Sequence, residues 1–341
     1  MIDVSQQWAS QIDVMPDTCF LNCSNCTRPA VAHRKKKRPM TLDEFRKACE
    51  GNRDFPTKSA PCPQGRRKVV GLIGGEPTMH PQFPEIVDIM CEVIPDVRHR
   101  GLWTSRNWKE YNHPVYGAVA PHVIRLIGEK HGGDTRGPSS RHRGGFLNWN
   151  MHEAYANARK LPVPAYRKQE CFSNHQPILV AISDVVKQGN LTEKRMWELI
   201  SQCWVQREWS SSTNPGGSYF CEVAGSLAHL YDDYEHAKTL GDPKWWEGKI
   251  EFVEDERGIL QPTGPFAEQI KKWCTQCGAC LPLKGRRDGD EIDDVSDHHR
   301  EKLVQISSPR VNKGKVEVYN GEQYDETNHS DGWNPKAYRQ N

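Results

Sequence analysis

Three cysteines fall within eight residues near the start of this 341-residue chain: Cys19, Cys23 and Cys26, spaced C-x3-C-x2-C. No other feature constrains the chain as strongly. Three thiolates on so short a loop can hold three corners of an iron–sulfur cubane. A structural zinc site asks for four protein ligands, usually as two separated pairs. A [4Fe-4S] cluster normally takes four cysteines. Three leave one iron open to a non-protein ligand, and an open coordination position is where chemistry occurs, by the logic that separates catalytic from structural zinc. The alternative on the same residues is a zinc knuckle completed by His33.

The chain holds 12 cysteines. Its first 30 residues show no basic start followed by an apolar block, so no export signal is visible and a cytoplasmic protein is expected. In a reducing compartment clustered cysteines bind metal more often than they pair. No run approaches the roughly 18 apolar residues that a membrane-spanning helix needs, so no membrane partner is expected. Lys and Arg total 46 against 44 Asp and Glu, a net charge of +2. That balance gives no general pull toward nucleic acid or anionic lipid. The chain is long enough for a buried core, while 36% hydrophobic residues predict long surface loops.

Periodicity predicts alternating elements. Strands are expected near 2–4 and 11–14, before the cysteines. Thr41-Leu42-Asp43-Glu44 has the pattern of a capping box opening a helix to about Glu50. Residues 51–67 hold three prolines and predict a loop. Lys68–Ile73 predicts a buried strand ending in Gly74-Gly75-Glu76-Pro77. Residues 84–93 place Ile86, Ile89, Met90 and Val93 on one helical face. Strands are expected at 99–104, 123–127 and 178–182, a loop at 132–145 and a helix at 192–206. Strands alternating with helices argue an α/β domain with a largely parallel sheet. From about residue 203 regular periods fade while glycine, tryptophan and cysteine rise. The expected division is therefore 1–200 for the α/β domain, 201–306 for a smaller cysteine-rich module and 307–341 for a polar tail.

The C-x3-C-x2-C triad, followed about 50 residues later by Gly74-Gly75-Glu76-Pro77 after a predicted strand, resembles the radical S-adenosylmethionine superfamily. The resemblance covers roughly residues 15–200. It implies a partial (β/α)6 TIM-like barrel in which Cys19, Cys23 and Cys26 ligate three irons of a [4Fe-4S] cluster. The amino and carboxylate groups of S-adenosylmethionine would chelate the fourth iron. One electron would then cleave the sulfonium, and the resulting 5'-deoxyadenosyl radical would abstract a substrate hydrogen. Gly74, Gly75, Glu76 and Pro77 would shape the turn that receives the amino group. Ser105 and Ser183, each just beyond a predicted strand, stand where open α/β sheets bind ligands, although such residues equally cap helices. One departure stands out. The family often has an aromatic residue before the third cysteine, and here it is Asn25, so the adenine contact would come from elsewhere, with Phe20 a candidate.

The second set of cysteines is Cys203, Cys221, Cys274, Cys277 and Cys280, with Gly216 five residues before Cys221. This resembles the twitch or shortened SPASM module, which implies an auxiliary [4Fe-4S] cluster on Cys203, Cys221, Cys274 and Cys277. Cys280 is able to replace one of them, and a structural zinc on the same thiolates is the alternative. Trp204, Trp209, Trp245, Trp246 and Trp273 are expected to shield the cluster. An auxiliary cluster beside a substrate radical implies net oxidation or bond formation. Only 18 residues precede Cys19, so no N-terminal peptide-recognition domain is expected. The favoured substrate is a small polar metabolite such as a sugar or nucleotide, with a peptide as alternative. No G-x-G-x-x-G fingerprint is present, so the electron donor is expected to be a flavodoxin or ferredoxin. A reading from another class is a zinc-stabilised nucleic-acid-binding protein using the basic run 33–38 and the tryptophans.

Overall fold

The computed structural model describes residues 2–19, 22–28, 38–63, 65, 67–96, 99–103, 146–147, 176–283, 285–286 and 290–321. In chain order the elements are β1 (Ile2–Asp3), β2 (Ala9–Met15), α1 (Leu42–Asn52), α2 (Phe55–Lys58), β3 (Val69–Gly74), α3 (Phe83–Val93), β4 (Arg100–Leu102) and β5 (Phe146–Leu147). They continue with α4 (Ile182–Lys187), α5 (Glu193–Gln202), β6 (Ser210–Asn214), β7 (Gly217–Tyr219), α6 (Glu222–Tyr231), β8 (Lys249–Glu254) and β9 (Leu260–Thr263). Last come α7 (Ala267–Gln269), β10 (Asp293–Val295), α8 (Asp297–Gln305), α9 (Pro309–Asn312) and β11 (Val316–Val318).

The central sheet runs β5-β4-β3-β2-β6-β7. β2 to β6 are mutually parallel where they pair, and β7 is antiparallel to β6. The fold is thus α/β with a mainly parallel sheet. Among the described residues no closed barrel is formed. β6 pairs with the other edge of β2, and the hairpin to β7 ends that side of the described sheet with an antiparallel strand. Side chains alternate along β2, so its two faces meet different partners. Ser10 Oγ donates to Asn52 of α1 at 2.6 Å, which places α1 on one face. Gln11 and Asp13 point to the other, which α6 covers: a Cβ at Gly225 would stand 2.2 Å from Ser212 Oγ, and Ser212 pairs with Gln11. β1, β8 and β9 form a small antiparallel sheet, and β10 pairs in parallel with β11.

Local rules account for several elements. The Thr41–Glu44 capping box is present, Glu44 N–H donating to Thr41 Oγ1 at 3.2 Å and Thr41 N–H to Glu44 at 2.8 Å. Such a cap is worth about 1 kcal/mol. The predicted α3 face is buried at Ile86, Ile89, Met90 and Val93. Other expectations fail for identifiable reasons. The 51–67 loop contains α2, because Phe55 is fully buried against Trp246 and Pro56 is tolerated in a first helical turn. The 178–182 run is a buried turn leading into α4. Its backbone is satisfied by other loops: Gly278 N–H donates to Ile178 O, Ser296 N–H to Leu179 O, and Ala181 N–H to Ser296 Oγ. A short apolar run fixes burial but not conformation. The segment from 307, expected as a polar tail, forms α9 and β11 as far as residue 318, with Arg310 only 4% exposed. The predicted strand at 123–127 and loop at 132–145 lie outside the described residues.

Candidate metal and cofactor sites

The two motifs that lie far apart in sequence meet at the ends of neighbouring parallel strands. β2 leads into Cys19 and β3 into the Gly74-Gly75-Glu76-Pro77 turn. Gly75 N–H donates to Met15 O at 2.7 Å, and Glu76 N–H donates to Thr18 O at 2.7 Å. A Cβ at Gly75 would lie 2.2 Å from Thr18 O and 3.0 Å from Cys19 Cβ. Only glycine allows that approach. Glu76 is fully buried, while Cys19, Cys23 and Cys26 are partly exposed. Phe20 lies outside the described residues, as does Ser105.

The cysteine loop is held from behind by the C-terminal segment, a contact that no sequence motif signals. Arg310 Nη2 donates to Asn22 O at 2.9 Å and to Cys23 O at 2.7 Å, and Nη1 donates to Glu291 O. Its Nε stands 3.0 Å from Asp293 Oδ2 in a buried ion pair. Burial pushes the Asp293 carboxyl up to about 6 against the opposing pull of Arg310. Asn25 adopts the left-handed conformation at φ 47°, which Asn tolerates better than most residues. Its N–H donates to Asp293 Oδ1 at 2.8 Å, and its side chain exchanges two hydrogen bonds with Asp294. Asn25 therefore has a structural partner at the position where an aromatic residue was the expectation.

The five cysteines of the second set line one chamber, walled by Ile200, Phe220, Val223, Ala224 and Trp273. A π-helical turn, Val205–Trp209, follows Cys203, and another, Ile270–Cys274, ends on Cys274. Such turns recur at functional sites. Cys221 precedes α6, and the closeness of Gly216 to the Tyr234 ring leaves no room for a side chain at Gly216. Among the described residues no three His, Cys, Asp or Glu side chains are grouped to hold a single metal ion; the thiols stand around a chamber wall instead.

Burial pushes all five thiols up, Cys277 to about 12, and neighbouring thiols add to the effect at Cys221, Cys274, Cys277 and Cys280. Backbone N–H groups oppose it: Ala279 N–H donates to Cys277 Sγ at 3.3 Å, Val205 and Gln206 face Cys203, and Ala224 faces Cys221. Hydrogen bonds to sulfur are one means by which a protein tunes an iron–sulfur cluster. Burial keeps these groups as neutral thiols, and a bound metal would be needed to hold them as thiolates. By its chemistry the donor set suits a thiolate-bound iron–sulfur cluster: three thiols on the first loop, and five at the second, one more than the four a cluster takes.

Ser183 does not stand at a strand end. It lies in the first turn of α4, and its N–H donates to Thr275 O, beside the second set of cysteines. Of the tryptophans, Trp273 lines the chamber, and Trp246 packs on Phe55. Trp204, Trp209 and Trp8 meet in succession, the first pair edge-to-face at 5.8 Å and the second tilted at 4.8 Å between centroids.

Gln276, between Cys274 and Cys277, is held by His299 of α8. His299 is fully buried, with Nε2 2.6 Å from Gln276 O and Nδ1 2.9 Å from the Tyr231 hydroxyl. This fits a neutral ring that donates to the carbonyl and accepts from tyrosine. Burial lowers its pKa to about 4. The folded state therefore resists a proton that the unfolded chain binds below about pH 6.5. The contribution is present above that pH and is lost as pH falls toward 4. Replacing His299 by Asn should cost about 2 kcal/mol less at pH 5 than at pH 7, measured by urea unfolding of the metal-free protein. A gap that is the same at both pH values would contradict the neutral, buried ring.

Among the described residues no helix is long and apolar enough to cross a membrane. No protein-family model and no curated protein matches the chain. Among solved structures, Streptococcus suis SuiB bound to S-adenosylmethionine is similar over 64% of this chain, at 10% identity and a TM-score of 0.28. The chain spans 60% of the SuiB chain.

Proposed function

We propose that this chain is a radical S-adenosylmethionine enzyme with an auxiliary iron–sulfur cluster. The observation that carries the reading is the meeting of the C-x3-C-x2-C loop with the Gly74–Pro77 turn, made by two backbone hydrogen bonds at 2.7 Å and by a glycine whose Cβ would clash. When bound, a [4Fe-4S] cluster and S-adenosylmethionine supply one-electron cleavage of the sulfonium and hydrogen abstraction. The protein's own part is to hold and to shield. Cys19, Cys23 and Cys26 hold three irons on a loop braced by Arg310 and Asn25. Gly74 and Gly75 let backbone approach the methionine end of the cofactor, Glu76 supplies a carboxylate there, and Pro77 stiffens the turn.

Cys203, Cys221, Cys274 and Cys277 hold the second cluster, with Cys280 as the spare thiol of the chamber. A ring of thiols around a cavity supports a cubane, whose thiolates bind separate irons. A single zinc would draw its sulfurs to within about 3.8 Å of one another at a Zn–S distance of about 2.3 Å. The reaction is net oxidation or bond formation on a small polar metabolite such as a sugar or nucleotide, with a peptide as second choice and a flavodoxin or ferredoxin as donor.

Protein purified without oxygen should carry about eight irons per chain, four at each site. With dithionite and S-adenosylmethionine it should release methionine and 5'-deoxyadenosine. A colourless protein with stoichiometric zinc that retains nucleic acid would replace this reading with the zinc-stabilised binder.

A further inference from the structure

Trp273 precedes Cys274 in the π-helical turn Ile270–Cys274 and borders the five-thiol chamber. It is 2% exposed, and its indole Nε1–H is buried with no hydrogen-bond partner among the described residues. An indole nitrogen is a donor only, and protein interiors rarely leave such a group unpaired. The ring is held in place. Tyr231 tilts against it at 6.2 Å between centroids. Lys272 Nζ stands 5.2 Å from its centroid, itself anchored by Asp233 at 2.6 Å and Glu235 at 3.2 Å.

The chamber wall carries two kinds of acceptor. One is sulfur, on Cys203, Cys221, Cys274, Cys277 and Cys280. A neutral thiol accepts weakly. Metal-bound thiolate and sulfide carry negative charge, and hydrogen bonds to a charged acceptor are roughly twice as strong. The other is Gln206 Oε1, which is also buried without a partner, while the amide N–H of Gln206 donates to Ile200 O. The indole N–H and this oxygen do not pair with each other. Trp245 and Trp246 also carry unpartnered indole N–H groups, but neither residue borders the chamber. They are the natural comparison for Trp273.

We propose that Trp273 is a binding residue of the auxiliary iron–sulfur cluster, its indole N–H donating to a cluster sulfur and favouring the reduced form. The inference rests on the reading of this chamber as a cluster site. Reduction adds negative charge to the sulfurs, so a donor aimed at them is held more tightly in the reduced state and raises the potential. The backbone N–H groups that face Cys203, Cys221 and Cys277 act in the same direction. Trp273 adds a side-chain donor that can be exchanged without touching a thiol.

The test uses the full-length Cys23→Ala protein, reconstituted with iron and sulfide without oxygen, so that the second cluster is observed by itself. Trp273→Phe keeps an aromatic ring and removes the N–H. At a fixed potential it should lower the reduced-to-oxidised ratio of the cluster about fivefold, the equivalent of about 1 kcal/mol. Trp246→Phe in the same background should leave the ratio unchanged. With the indole nitrogens isotopically labelled, pulsed electron paramagnetic resonance of the reduced cluster should show a nitrogen coupling that Trp246→Phe keeps and Trp273→Phe loses. An unchanged ratio in Trp273→Phe, or an equal shift in both variants, overturns the assignment of Trp273 and leaves the cluster reading intact. The coupling is read on the parent protein too, so its absence there overturns the assignment even if Trp273→Phe fails to hold the cluster. A parent that binds zinc, or no metal, at this chamber overturns both.

Discussion

Cys23→Ala should halve the iron, from about eight to about four per chain, and reduce 5'-deoxyadenosine release to background. Cys23 is partly exposed, and its carbonyl, which Arg310 holds at 2.7 Å, survives the substitution. The loop should therefore keep its path, and stability of the metal-free protein should change by less than about 1 kcal/mol. The loss is then a ligand and not a fold. Cys221→Ala is the complementary variant. It removes a thiol from the second chamber, so about four irons should again be lost while S-adenosylmethionine is still cleaved. Substrate conversion should stop if that cluster accepts the substrate electron. Iron content in Cys23→Ala equal to wild type would remove the basis of the first site. Normal product formation by Cys221→Ala would end the electron-acceptor role.

Arg310→Met should be the most destabilising single change outside the cysteines. Arg310 and Asp293 are each about 95% buried in their side chains. Removing one partner of such a pair costs about 3–5 kcal/mol, because the other charge stays buried alone. Asp293, already raised to about 6, would then be driven toward its neutral form. Replacing both residues, as Asp293→Leu with Arg310→Met, should recover most of that stability, since a well-packed apolar pair is often neutral relative to the ion pair. It should not recover the first cluster. The carbonyls of Asn22 and Cys23 lose their donors in either variant, and Asn25 N–H loses Asp293 in the double variant. Urea unfolding of the metal-free protein reads the first effect, and iron content with the cluster's electron paramagnetic resonance signal reads the second. A double variant with a full, normal first cluster would show that the pair serves stability alone.

Much of the local structure was legible because it depends on neighbours in sequence. The capping box needs only Thr41 and Glu44, and the α3 face needs only a 3.6-residue period. β3 was readable as an apolar run ahead of a motif loop, and β2 only as a strand near 11–14. The 178–182 run shows where that legibility stops. Ile178, Leu179, Val180 and Ala181 are buried as a strand would be, but their backbone groups bond to the 274–280 loop and to Ser296. Nothing within the run records those partners, and Ser183 was misplaced with it. Asn25 was visible as an oddity, yet its reason lies at Asp293 and Asp294. Arg310 left no sequence signal, because it looks like an ordinary charged residue until its burial and neighbours are known.

The sequence alone determined that three thiols share one short loop, that a glycine pair follows a buried strand, and that further cysteines gather late in the chain. Those facts are covalent spacing and short-range periodicity, and no tertiary contact is needed to read them. Tertiary structure decided that the glycine turn abuts Thr18 and Cys19, that five thiols line one chamber, and that Arg310 braces the first loop. Each of these joins segments far apart along the chain, where position is set by packing and by the pairing of buried polar groups, and no local pattern of residues encodes which distant partner will satisfy them.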